Sequence, residues 1–181
     1  MILGMTPLTF VHVVLSLIGI FSGFVVVFGM LTGGKIDGWT ALFLATTVLT
    51  SVTGFLFPFH GLLPSHVLGI ISLLVLPVAI YARYSRQLAG GRRRTYVITA
   101  MIALYLNVFV LIAQLFMKVP ALKAMAPTQS EPPFELTQLI VLVIFVVLTI
   151  AAAKKFRGQP GHATQSPATH LIEISGLEAR K

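Results

Sequence analysis

His12, His60 and His66 are the residues of this chain with the widest chemical reach. A neutral imidazole binds haem iron, copper or zinc, and it changes charge near neutral pH. His60 and His66 stand in FPFHGLLPSHVLG, residues 57–69, where two prolines and two glycines separate strongly apolar runs. His12 and His66 could supply two axial haem ligands from two helices, with His60 as a third candidate. A second set is made of amides. Asn107 and Gln114 are seven residues apart and so share a helical face, and Gln138 approaches from another segment. With His12, that set could line a pathway for protons or small solutes. His162 and His170 lie in a polar tail and carry little weight.

Motifs narrow the chemistry further. The chain has no cysteine, which excludes disulfides, thiolate metal sites and a cysteine nucleophile. It contains no CxxCH, HExxH or GxSxG signature and no paired carboxylates. TGGKIDG, residues 32–38, has glycines but lacks the phosphate-loop pattern GxxxxGK[ST] and reads as a tight connection. No enzymatic activity is therefore expected. Met117 and Met125, beside the outward histidines, would suit copper(I), although methionine also serves simply to cover apolar surface.

The elements that must position these residues follow from composition. Hydrophobic residues make up 56% of the 181-residue chain and charged residues only 10%, with a mean hydropathy of +0.94. Soluble domains carry roughly 25% charged residues, so the expected class is an all-α membrane helix bundle. A spanning helix needs about 20 apolar residues. Five segments qualify, at about 7–31, 39–58, 63–84, 95–117 and 134–153. The first lacks a basic leader and a small-residue cleavage site, so it is expected to be a retained span rather than a cleaved signal. Residues 1–157 form the expected bundle domain. Residues 158–181, rich in Gly, Pro, Ser, Thr and Gln, form an expected disordered cytoplasmic tail.

Cation placement predicts orientation. With the N-terminus outside, the inner side would hold Lys35, Arg83, Arg86, Arg92–Arg94, Lys154, Lys155, Arg157, Arg180 and Lys181, leaving only Lys118 and Lys123 outside. The net charge of +8 then reads as a topology signal with attraction to anionic headgroups, not as a nucleic-acid footprint. Trp39, Tyr81, Tyr84 and Tyr96 fall near the inner interface, with Asp37 in a loop there. His12, His60, His66, Asn107, Gln114 and Gln138 all fall in the outer half.

Small residues predict how the helices meet. Gly19 and Gly23 in GIFSG form one ridge, and Thr47, Ser51 and Gly54 form another beside Thr46, Thr50 and Thr53. Pro77 predicts a kink in the third span. The prolines at 120, 127, 132 and 133 restrict the longest outer loop, leaving room for a short surface helix near 120–126.

The run LNVFVLIAQLFMKVPALKAMAPTQSEPPF, and less strongly WTALFLATTVLTSVTGFLFPFHGLLPSHVLG, resembles a family of small uncharacterised bacterial inner-membrane proteins. The resemblance spans most of residues 9–155 and implies the bacterial cytoplasmic membrane, with no activity attached. Several helices with histidines near one face also give an architectural similarity to membrane-bound b-type cytochromes. Three functional readings follow: a structural or accessory membrane subunit with lipid and protein or self partners, a haem b or copper electron-transfer protein, and a solute or proton pathway.

Overall fold

The computed structural model describes residues 6–34, 36–57, 64–84 and 91–156, with side chains in the third helix described from residue 67. His60, Lys35 and the tail expected to be disordered lie outside the described residues. Six helices make up the described chain: α1 (Pro7–Thr32), α2 (Asp37–Gly54), α3 (Pro64–Tyr84), α4 (Gly91–Lys118), α5 (Pro120–Met125) and α6 (Pro132–Lys155). Of these, α1, α4, α6 and residues 67–84 of α3 are long and apolar enough to cross a membrane. The all-helical, membrane-like character is as expected, but the count of five spans is not reached on these criteria. Five threonines, Ser51 and Asp37 dilute the apolar character of α2.

Local chemistry sets the helix ends. Thr6 caps α1, accepting from the Thr9 amide at 3.3 Å, and Pro7 occupies the first turn, where its missing N–H costs nothing. The helix stops at Gly33, whose φ of +75° is a left-handed conformation that suits glycine. The Gly33 and Gly34 amides both return to Gly29 O, at 2.9 and 3.1 Å. Ile36 then folds back onto Gly29, at a point where a β-carbon would collide with its side chain. This closes α1 and α2 into a tight hairpin. α2 begins two residues earlier than expected, at Asp37, and ends at Gly54, where Phe55 N bonds Val52 O in a tighter turn. The short helix α5 falls where the proline spacing placed it. α3 continues as one helix through Pro77.

α4 is the central element, packed against α1, α3, α5 and α6, while α1 lies along α2 and α2 against α3. The expected glycine ridge on α1 is used. A β-carbon on Gly23 would lie 2.5 Å from Leu104 and 3.0 Å from the Phe43 ring, so α1, α2 and α4 meet at that point. Gly19 sits against the hydroxyls of Thr46 and Thr47. The core around them is led by Val26, Met30, Phe43, Leu76, Met101 and Leu104. A smaller cluster of Phe116, Ala126 and Phe134 joins the α5 region to α4 and α6.

Candidate functional site

The polar interior is organised by α2. Five of its hydroxyl residues, Thr40, Thr46, Thr47, Thr50 and Ser51, are buried, while Leu42, Leu49 and Val52 are exposed on its other side. Successive hydroxyls serve different neighbours. Thr40 Oγ1 pairs with Tyr96 Oη of α4 at 3.1 Å, and Thr47 Oγ1 accepts from Asn107 Nδ2 of α4 at 3.2 Å. Ser51 donates to Ser72 of α3 at 3.1 Å, and Thr53 Oγ1 meets His12 Nδ1 of α1 at 2.9 Å. From the two expected ridges of α2, Thr47, Ser51 and Thr53 thus bond other helices, while Thr46 bonds its own backbone.

His12 is half-buried between α1 and the end of α2. Its ring lies edge-on to Phe57 with centroids 5.3 Å apart, and a β-carbon on Gly54 would lie 3.6 Å from its Cε1. The Thr53 contact occupies Nδ1, leaving Nε2 as the nitrogen available to a ligand. His66 lies in the first turn of α3, and its side chain is outside the described ones. Register still sets its height. Ser51 pairs with Ser72, and a β-carbon on Gly69 would touch the Phe55 ring at 3.2 Å. The antiparallel helices α2 and α3 therefore bring the first turn of α3 level with Phe57, the residue against which His12 packs. Among the described residues, no three His, Asp or Glu side chains gather into a metal-binding group.

The amide set divides. Asn107 turns inward to Thr47, whereas Gln114 is exposed. Sharing a face of α4 does not give the two the same surroundings, because the covered side at that height belongs to Phe116, Ile112 and Ala113, packed with Phe134 and the α5 region. Gln138 is 7% exposed and donates to Phe109 O of α4 at 3.2 Å. Its Oε1 is a buried acceptor without a partner among the described residues, as is the hydroxyl of Thr50. Thr47 and Thr53, which hold Asn107 and His12, are six residues apart on α2, or about 9 Å along its axis. His12, Asn107 and Gln138 are therefore anchored one by one.

A tighter constellation at the other end escaped the sequence reading. Arg83 of α3 forms an ion pair with Asp37, the first residue of α2 and not a loop residue as expected. Its guanidinium lies 5.7 Å from the Tyr96 ring centre and 5.9 Å from that of Tyr84, distances at which a cation is attracted to the ring face. Tyr96, expected at the interface, is fully buried, bonded to Thr40 and packed 6.2 Å from Phe156 beyond α6. Arg83 and Tyr96 thus clasp α2, α3, α4 and the end of α6. The partners are 46 and 56 residues from Asp37 and Thr40, so no local spacing announces the cluster.

Beyond the spans, Glu131 precedes α6 and accepts from the Thr128 amide at 3.0 Å and its hydroxyl at 2.9 Å. Desolvation pushes its carboxyl up, but these bonds and that from the Ser130 amide outweigh it and hold the group below its ordinary value. Gln129, at a left-handed φ of 61°, ties the same turn to α4 by donating to Ala113 O at 2.7 Å.

Comparison with protein families finds no match, and neither curated proteins nor solved structures yield one. The reading of this chain rests on its own geometry.

Proposed function

We propose that this chain is a five-span integral protein of the bacterial cytoplasmic membrane, N-terminus outside, acting as a structural or accessory subunit rather than as an enzyme. One observation carries the reading. The interior polar groups are distributed into separate helix–helix bonds, His12 to Thr53, Asn107 to Thr47, Ser51 to Ser72 and Tyr96 to Thr40, instead of converging on one reaction centre. Interhelical bonds of this kind act as glue in lipid. They favour scaffolding over a solute or proton path.

The fifth span is α2. Its 18 residues extend about 27 Å, close to the roughly 30 Å hydrocarbon core. The residues that lower its apolarity point inward while leucine and valine point out. Cations gathered at the end that holds Arg92–Arg94 support a cytoplasmic placement of that end. The test is native mass measurement on protein extracted in mild detergent. A particle heavier than one 19.6 kDa chain, persisting on dilution, is expected. A monomer under every mild extraction would count against a subunit role.

A second reading is haem b or copper binding on the outer side, by His12 and His66. It is favoured by the register that brings the first turn of α3 level with the ring packed on His12. A Soret band lost in both His12→Ala and His66→Ala would support it. A colourless, metal-free protein from haem- and metal-replete cells would sink it.

A further inference from the structure

The two ends of the bundle differ in charge. At one end, Lys118 and Lys123 are matched in number by Glu131 and Glu135. At the other, Asp37 neutralises Arg83 in the single ion pair among the described residues. Arg92, Arg93 and Arg94 of α4 and Lys154 and Lys155 of α6 remain there without an acidic partner among the described residues. The buried Tyr96 fixes their common height. It lies within four residues of the arginines on α4 and packs against Phe156, the residue that follows Lys155.

Helix stability does not explain the arginines. The first turn of α4 has no acid, and cations at a helix N-terminus oppose the positive end of the macrodipole. An orientation signal requires only charge in the flanking loop, not charge carried into the helix beside a clasp that already holds the fold. Depth identifies the counter-ion. Tyr81, Tyr84 and Trp39 are exposed near the same end, at 64%, 60% and 42%, and amphipathic rings favour headgroup level.

We propose that this end of the bundle is a binding collar for acidic phospholipid headgroups, in which Arg92, Arg93, Arg94, Lys154 and Lys155 meet lipid phosphate while Arg83 serves the fold. The collar rests on the membrane reading, but not on the subunit role, which is tested by particle mass. Cations near a membrane surface contribute about 1 kcal/mol each toward anionic lipid, a factor of roughly five per charge.

The test uses the full-length protein purified in mild detergent, titrated with phosphatidylglycerol or phosphatidylcholine and read by native mass measurement of retained lipid. Phosphatidylglycerol should be retained at least tenfold better. The triple variant R92Q/R93Q/R94Q should lose roughly tenfold or more of that preference, and R92K/R93K/R94K should keep it. Arg83→Met should lower the thermal midpoint yet leave the preference intact wherever helix content is retained. Should the triple variant fail to fold, Lys154→Gln with Lys155→Gln provides the same reading from α6. Equal retention of the two lipids by the wild type would overturn the proposal. So would an undiminished preference in folded neutralised variants, or saturable binding of inorganic phosphate at matched ionic strength that displaces the lipid.

Discussion

α2 and α6 reverse what is expected of helices in water. α2 carries threonines at 40, 46, 47, 50 and 53, yet seven of its residues are buried, from Thr40 to Ser51. α6 is the most apolar span and buries only Phe134, Gln138, Phe145 and Ala152 over 24 residues. In lipid the surrounding tails are as apolar as leucine, so leucine alone gives a helix no reason to turn inward. Hydroxyls, amides and the absence of a side chain supply that reason. α2 is held along its length by bonds to α1, α3 and α4, whereas α6 is held at a few points: Gln138 on Phe109 O, Phe145 on Tyr105 at 5.6 Å, and Phe156 on Tyr96.

The contrast can be broken most severely at Gly23, where α1, α2 and α4 converge. Gly23→Val should cost about 2 kcal/mol by overpacking, read as a fall in the thermal midpoint in detergent. Val147→Ala on the exposed face of α6 should stay within about 0.5 kcal/mol. Equal losses at the two sites would remove the distinction. A finer test is a double-mutant cycle of Thr47→Val and Asn107→Leu. Each should destabilise by about 1 kcal/mol, with a coupling near 0.6 kcal/mol, the scale of hydrogen bonds between membrane helices. Zero coupling would show that the amide is not glue.

The smallest effect is at the entry to α6. The Glu131 carboxyl is held below its ordinary value of 4.5, so the folded turn prefers the ionised form. Its stabilisation is present above pH 4.5 and fades as pH falls through the depressed value. The protection of the Thr128 and Ser130 amides, taken against the intrinsic exchange rate at each pH, should fall on acidification, and Glu131→Gln should flatten that response.

Much of this arrangement was legible in the sequence, because twenty-residue apolar runs and proline spacing are local signals. The runs gave α1, α3, α4 and α6 to within a few residues, and the prolines gave α5. The small-residue ridges identified contact faces, and Gly23 lies where its ridge placed it. Partners were not legible. Nothing near Asp37 indicates that Arg83 will reach it, and nothing near Tyr96 indicates that its ring will be buried with its hydroxyl on Thr40. Asn107 and Gln114 show the same limit. Helical spacing put them on one face, but neighbouring elements decide that one meets Thr47 and the other is exposed.

The back-bonding of α2 bears on the order of synthesis. Thr46 and Thr53 donate to Leu42 O and Leu49 O, both four residues earlier, at 2.7 and 2.8 Å. Tyr96 and Asn107, the partners of Thr40 and Thr47, are translated dozens of residues after α2 is complete. Hydroxyls that lean on their own backbone need no later helix, so Thr46 and Thr53 are satisfied as soon as α2 forms. Thr40 and Thr47 instead gain their partners only when α4 arrives, so the polar interior of α2 is completed in two stages.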